Sequence, residues 1–513
     1  MKRLSVAFVG NNDIIGGASR AAFRLYKGTR EIGIDCSYVV GWKHGNDPGV
    51  IEASYNQLFK PENPAVIFSS MVREQYIDSN RTSLTNTFFS FTYPGYPLSS
   101  VDALHTADIV NLHWIEHYLT PASVAQLASM NKPVVWTLHD MRPFTGGCYY
   151  TAGCENFSDR LCKECPQLLD DPFSLPNAVL KDKIRLFGKL DLTIVTPSKW
   201  LSGEAGRSAL FRNCRIEAIP NSIETGLYKP RNREAAKINL GIAPDALTLL
   251  FAAVDSKEER KGFRFLKQAL DIATRDPEFS RLIREGKVSI ICMGIPDESI
   301  NKYSIPVIQT KYLSNDEDIV GYYNASDIYL LPSTEDNLPN GVLEAVSCGV
   351  PVIAFNIGGI PDMVDHTTGR LVEARNTARL AEAIMELSMN PVLRNELGRK
   401  GRSVIESRFG LDVQAGKYAE LFSDILENRS KKEKDISFAR KGKIPDLPGI
   451  EKNLGKIRNR LLRYSFRKKT RDAHLNTIAG QFKTCLFVLI FSLHSRFPRL
   501  RIAEYYRSKI INT

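Results

Sequence analysis

The run Pro332–Val364, PSTEDNLPNGVLEAVSCGVPVIAFNIGGIPDMV, contains in order a strand end, an acidic loop, a helix start, a second strand and a Gly-Gly turn. Ile328–Pro332 closes an apolar strand, and Ser333–Pro339 is a polar loop that holds Glu335 and Asp336. Asn340 and Gly341 then open a helix, with Glu344 expected in its first turn. A helix start presents unpaired backbone N–H groups and a positive dipole end, which suit a diphosphate. Gly341 allows close approach of backbone to a ligand. A carboxylate accepts two hydroxyl hydrogen bonds, as a ribose diol requires. Asp336 and Glu344 lie eight residues apart, so one can reach a sugar while the other reaches a nucleoside. The competing reading gives Asp336 a capping role and lets Glu344 complement the helix dipole.

Around this run, short apolar, β-branched segments alternate with longer helical patterns. Strands are expected at Ser5–Val9, Cys36–Gly41, Ile109–Trp114, Pro133–Leu138, Leu192–Thr196 and Ile216–Ile219. A second series is expected at Leu247–Val254, Val288–Gly294, Val307–Gln309, Ile328–Leu331, Val352–Phe355 and Arg370–Val372. Continuous rather than alternating hydrophobicity indicates strands buried on both faces, hence parallel sheets. Two successive βα series predict an α/β chain of two doubly wound, Rossmann-like domains facing a cleft. Their expected extents are 1–222 and 223–428, with the break near IPNSIETGLYKP and a helix from Leu411 to Leu426 closing the second series.

Charge separates off a third region. The 513 residues carry a net charge of +11, but residues 429–513 hold 22 Lys/Arg against 6 Asp/Glu. The remaining 46 basic and 51 acidic residues leave the body mildly acidic. The region reads as a basic linker followed by a helical pattern at Lys452–Lys469, in which Leu454, Ile457 and Leu461 share a face ringed by Lys456, Arg458, Arg460 and Arg463. Such a helix can lie on an anionic membrane surface, or pack as a solvated helix on the body. An acidic body and a basic run without interleaved aromatics argue against a nucleic-acid partner. MKRLSVAFVG reads as a first buried strand, not a signal peptide, and no apolar run reaches the length of a spanning helix. The expected location is cytoplasmic, peripheral at the inner face of the cell membrane.

Further chemistry-bearing residues follow strands. Gly16 and Gly17 lie between the first strand and a helix, where glycine permits close approach to a ligand. His139, in Thr137-Leu138-His139-Asp140, sits at a strand end and hence at the cleft edge, with His113 as a second candidate. Arg260 and Lys261 precede Gly262 in EERKG. The insert 145–168 holds Cys148, Cys154, Cys162 and Cys165 in a C-x5-C-x7-C-x2-C pattern. In a chain read as intracellular, such a cluster suggests structural zinc, with free buried thiols and redox bridging as alternatives.

These motifs, in this order, resemble those of retaining GT-B glycosyltransferases, family four, the glycosyl transferases group 1. The resemblance rests on Asp336 and Glu344 separated by seven residues, Gly349-Val350-Pro351-Val352-Ile353-Ala354, the Gly358-Gly359 turn, the Lys261-Gly262 element and the strand-end His139. The cysteine insert and EDNLPN resemble the exopolysaccharide, colanic-acid-type branch. The resemblance covers residues 1–428 and implies transfer of a sugar from a nucleotide-diphosphate donor to a glycan or lipid-linked glycan hydroxyl, in cell-surface polysaccharide synthesis and without a catalytic metal. It implies that Glu344 holds the ribose, Asp336 or its neighbour Glu335 the sugar hydroxyls, and His139 the transferred sugar. Lys261, Arg260 and the amides of Asn340, Gly341 and Val342 would take the diphosphate, with Gly16 and Gly17 facing the donor. Asp255 stands where the family commonly has an arginine, a place Arg260 can fill. The rival functions are a sugar-nucleotide epimerase or phosphorylase on the same fold, and a catalytically silent sugar-nucleotide-binding protein.

Each basic residue near an anionic surface contributes about 1 kcal/mol. Deleting residues 429–513 should therefore lower partition onto anionic vesicles by on the order of tenfold or more. Equal sedimentation of the full and truncated chains with such vesicles would rule out a membrane role for this region.

Overall fold

The computed structural model describes residues 4–53, 76–91, 98, 101–188, 190–295 and 298–435. The first sheet has seven strands, β1 (Ser5–Asn12), β2 (Asp35–Trp42), β3 (Val50–Glu52), β4 (Ile109–Leu112), β5 (Val134–Thr137), β6 (Leu192–Thr196) and β7 (Arg215–Ala218), in the order β3-β2-β1-β4-β5-β6-β7. The second has six, β8 (Leu247–Asp255), β9 (Val288–Ile295), β10 (Val307–Gln309), β11 (Ile328–Leu331), β12 (Val352–Phe355) and β13 (Gly369–Val372), in the order β10-β9-β8-β11-β12-β13. Every pairing in both sheets is parallel. All twelve expected strands form. The three-residue edge strand β3 is an addition, too short and too exposed beyond Val50 to leave a hydrophobic run.

Continuous apolar strands are covered on both faces. One layer under the first sheet packs Ala7, Val9, Val110, Leu112, Val134 and Trp136 against Leu180, Leu201 and Phe211. The opposite layer packs Val6, Phe8, Ile109 and Val135 against Ala22 and Leu25 of the Gly17–Glu31 helix. Tyr418, Leu421, Phe422 and Ile425 of the Leu411–Asp435 helix complete that second layer. This last helix follows the second series in sequence yet packs on the first sheet, with Thr137 Oγ1 and the Tyr418 hydroxyl 2.9 Å apart. Among the described residues, no helix is long and apolar enough to cross a membrane. The basic helical pattern at 452–469 lies outside the described residues.

Strand order fixes where a ligand can sit. In each sheet the connections reverse direction once, between β1 and β4 in the first and between β8 and β11 in the second. Loops leaving the carboxyl ends of such a pair diverge and open a crevice, the usual ligand position in open α/β sheets. Gly16 follows β1, His113 follows β4, Lys261 follows β8, and Asp336 follows β11. The two crevices are joined directly, since Asn340 Nδ2 donates to Gly17 O at 2.9 Å and Asn337 Nδ2 to His139 O at 3.1 Å.

Candidate functional site

Asp336 lies at the centre of the second-sheet crevice and is buried. Lys261 Nζ donates to its Oδ2 at 2.6 Å, and Arg260 NH1 stands 3.3 Å from the same atom. Burial alone would raise this carboxyl, but Lys261 and then Arg260 outweigh it and hold Asp336 below the ordinary aspartate value. Glycines make the approach possible. Gly262 has φ +74°, and a Cβ there would meet Pro332 O at 1.8 Å. Gly358 has φ +54°, and a Cβ would meet Asp336 O at 1.9 Å. The Lys261-Gly262 and Gly358-Gly359 elements thus press the loops after β8 and β12 onto the acidic loop after β11.

Glu335 takes a different partner. Its Oε1 accepts from Ala152 N at 2.8 Å, and burial raises its carboxyl. Arg260 is held by Glu258 at 2.7 Å and by Glu335 O at 3.1 Å, and lies over the Tyr150 ring at 4.7 Å. Among the described residues Lys261 has no comparable second anchor, its Nζ going to Asp336.

The Asn340–Ser347 helix begins where the sequence placed it, and no side chain caps its start. The amides of Asn340 and Gly341 face the crevice end of the helix, while Val342 N turns back to Pro339 O at 3.0 Å. Two expectations change here. Glu344 lies one residue beyond the first turn. Gly341 is required by its own domain, because a Cβ would meet the Tyr329 hydroxyl at 2.6 Å.

Glu344 is buried in a charge cluster spanning both sheets. Its Oε1 lies 3.3 Å from Arg24 NH2 and 3.7 Å from Arg20 NH2, and its Oε2 accepts from the Tyr323 hydroxyl at 3.1 Å. Arg24 Nε also donates to Glu224 at 2.6 Å, and Arg20 pairs with Asp316 and with the Tyr228 hydroxyl. The two arginines are one turn apart on the helix that Gly16 and Gly17 open. That spacing, directly after a Gly-Gly loop, is the local sequence signal for them.

The first-sheet crevice holds a histidine pair. His113 Nδ1 and His139 Nε2 lie 3.1 Å apart, so one proton is shared between rings separated by 26 residues in sequence. Enclosure lowers His139 to about 4, and burial together with His139 holds His113 well below the ordinary histidine value. Both are neutral at neutral pH, and His139 therefore works as a hydrogen-bonding group and not as a cation. Beside them Asp140 accepts from Trp114 Nε1 at 3.0 Å and from Arg142 N at 2.9 Å. Burial, reinforced by Glu116, pushes Asp140 up to about 7.

Tyr150 was also missed, since an aromatic in a cysteine-rich insert reads as core. Its hydroxyl accepts from Asn337 N at 3.2 Å and lies 3.5 Å from Asp336 Oδ1, so the insert is the buttress of the acidic loop. Cys148, Cys154, Cys162 and Cys165 are free thiols lining one small cavity. Among the described residues, no group of three or more His, Cys, Asp or Glu is arranged to hold a metal ion as it stands.

A family model described as Glycosyl transferases group 1 matches residues 246–390, which include β8 to β13 and the acidic loop. N-acetyl-alpha-D-glucosaminyl L-malate synthase of Bacillus anthracis is 22% identical over 356 residues, covering 67% of this chain and 83% of that protein. A D-inositol 3-phosphate glycosyltransferase of Actinosynnema mirum is 32% identical over 192 residues, 36% of this chain and 46% of that enzyme. The chain spans about half the length of the inositol 3-phosphate enzymes it matches. In three dimensions it is similar to sucrose-phosphate synthase from Thermosynechococcus elongatus, with a TM-score of 0.56 at 15% identity, over 83% of this chain and all of that one. It is also similar to Anabaena HepE, solved with UDP-glucose, with a TM-score of 0.53 at 16% identity over 82% of this chain and all of that one. The fold is thus GT-B-like. Residues 246–390 thus match a glycosyl transferases group 1 domain, and the proteins similar to this chain include glycosyltransferases.

The cluster around Glu344 should separate structural from ligand roles. Glu344→Ala leaves Arg24 buried with one carboxylate fewer and should cost about 3 kcal/mol or more, read as a lower urea midpoint. Glu344→Gln keeps an oxygen for Arg24 and should lose much less. Equal midpoints for the two variants would remove the charge cluster from the stability of the fold.

His139 gives a pH signature. Its folded pKa is depressed below the unfolded value, so its contribution is present above about 6.5 and is lost as pH falls toward 4, by up to about 3 kcal/mol. Between pH 7 and 4 the stability of His139→Gln should fall less steeply than that of the unsubstituted chain. Parallel midpoint-against-pH curves would show that His139 is not held neutral.

Proposed function

We propose that the chain transfers a sugar, with retention of configuration, from a nucleoside diphosphate donor to a hydroxyl of a glycan or lipid-linked glycan, as in cell-surface polysaccharide synthesis. The observation that carries this reading is the pair of cations, Lys261 and Arg260, meeting Asp336 at the uncapped start of the Asn340–Ser347 helix. Cations and open helix amides at a sheet switch point form an anion site. HepE, of the same fold, is described as a complex with UDP and glucose and as one with UDP-glucose. That description supports a nucleotide-sugar ligand in the corresponding cleft.

In this reading the diphosphate lies on Lys261, Arg260 and the amides of Asn340 and Gly341, with Gly16 and Gly17 closing over it. As the glycosidic bond breaks, negative charge grows on the diphosphate while the sugar carbon becomes oxocarbenium-like. Preorganised cations and amides stabilise that charge most where it increases, at the leaving oxygen. Asp336 or Glu335 accepts hydroxyl hydrogen bonds from the sugar, and neutral His139 hydrogen-bonds to it near the reacting carbon. Glu344 accepts from the ribose hydroxyls once Arg20 and Arg24 share it. The acceptor hydroxyl attacks on the face the leaving group occupies, and the diphosphate takes up its proton. Lys261 and Arg260 here occupy the role that a divalent cation plays in other sites. Tethering through the basic 429–513 region would bring a lipid-linked acceptor to the cleft.

Donor screening with UDP-, GDP- and ADP-sugars should give one productive donor, with the anomeric configuration of the product read by NMR. Lys261→Ala should then lower kcat by about 100-fold, the usual loss when one charge-stabilising donor is removed. Unchanged turnover in this variant would take Lys261 out of the mechanism. An inverted product would overturn retention without touching the donor site.

A further inference from the structure

The four cysteines of the insert are 17 residues apart at most, yet they do not simply sit near one another in a loop. Cys148, Cys154, Cys162 and Cys165 line a single small cavity of about 20 Å³, lined also by Phe89, Phe157, Pro166 and Pro176 among others. That volume takes one ion or one water. Three of the sulfurs accept from backbone amides: Gly146 N donates to Cys162 Sγ at 3.2 Å, Asn156 N to Cys154 Sγ at 3.4 Å, and Gln167 N to Cys165. Amide donors of this kind orient and stabilise thiolates held by a metal. Leu161, Cys162 and Glu164 all have left-handed backbones, with φ of +52°, +55° and +54°. Three such non-glycine residues together persist only where surrounding constraints hold them.

An independent observation is charge. Lys183 is 1% exposed, and among the described residues its Nζ donates only to the carbonyls of Arg142, at 2.6 Å, and Thr145, at 2.9 Å. The nearby carboxylate of Glu116 is already paired with Arg142 at 2.6 Å. Lys183 faces Cys148 and Cys162. Arg81 lies near Cys148 and Cys165, and among the described residues its Nε has no hydrogen-bond partner. Negative charge close by would stabilise a buried ammonium. Four neutral thiols supply none. A zinc ion bound by four thiolates carries a net charge of −2, which two facing cations balance.

We propose that Cys148, Cys154, Cys162 and Cys165 together bind one structural zinc ion. Each thiol loses its proton to solvent as its Zn–S bond forms, with no change of oxidation state. The four sulfurs already line one cavity and would hold the ion as thiolates, the ligand set of a structural zinc site. The first two ligands bracket Tyr150 and Ala152, which contact Asp336, Asn337 and Glu335. The metal therefore fixes the buttress of the acidic loop and takes no part in bond breaking.

The full chain, purified anaerobically with its thiols reduced, should contain one zinc per chain by elemental analysis. Cys162→Ser and Cys165→Ser should each lower zinc content or affinity at least about tenfold. Cys292→Ser, a buried cysteine in β9, should leave it unchanged. If the serine variants do not fold, the intact chain still decides the matter. A mercurial reagent should release the zinc as the four thiols react, and cobalt-substituted protein should show the absorption of tetrahedral sulfur ligation. Absence of metal from zinc-supplemented protein with four titratable thiols would overturn the site. So would two disulfides among these cysteines, or zinc that survives replacement of all four. None of these readouts depends on transferase activity.

Discussion

Arg24 is buried on a helix of the first sheet, and its carboxylate partners, Glu224 and Glu344, come from outside that sheet's own strands and helices. A buried guanidinium left unpaired costs several kcal/mol, so the first sheet can enclose Arg24 only with the other half of the molecule in place. The same holds for Glu344, which needs Arg24, Arg20 and the Tyr323 hydroxyl. Mutual dependence of this kind fixes the spacing and angle of the two halves more sharply than apolar contact, because charges tolerate little misalignment. The carboxyl edges of β1 and β11 consequently face each other, and the loops that leave them share hydrogen bonds at Asn337 and Asn340.

Backbone geometry then narrows the choice of residues. The loops after β8, β11 and β12 are packed so closely that Gly262 and Gly358 meet neighbouring carbonyls where a Cβ would stand. Glycine at these two positions follows from contact between loops, independently of any ligand. Its effect on the site is indirect but decisive: it brings Lys261 and Arg260 onto Asp336.

What the sequence made legible was what is local. The inner strands could be read because burial on both faces leaves continuous apolar runs, whereas the edge strands β7 and β10 are half-buried and were read from their short apolar segments. The acidic loop and the Asn340 helix start could be read because their chemistry is contiguous. β3 could not, since three residues with one buried side chain leave no pattern. The His113–His139 contact could not either, because parallel neighbours β4 and β5 bring together residues whose separation is set by an intervening crossover. Arg20 and Arg24 carried a local signal, the one-turn spacing, but their carboxylates lie 200 or more residues away. The roles of Gly341 and Tyr150 depend on what touches them, and no spacing rule reports that. The charge reversal between body and C-terminal region was plain from composition, whereas its structure lies outside the described residues.

Under the proposed reading, the Asp336–Lys261 pair also sets how a donor enters. A diphosphate and a carboxylate compete for the same ammonium, and the diphosphate brings more charge. Lys261 is free to follow it, because a lysine is a point charge on a flexible stem. Arg260 is not, being fixed by Glu258, by Glu335 O and by the face of Tyr150. Donor binding would therefore draw Lys261 off Asp336 while Arg260 stays beside it. That exchange frees lone pairs on Asp336 at the moment a sugar arrives needing acceptors for its hydroxyls. In the absence of donor the same pair keeps the cleft neutral, so the site can stay folded and closed without leaving either charge buried and alone.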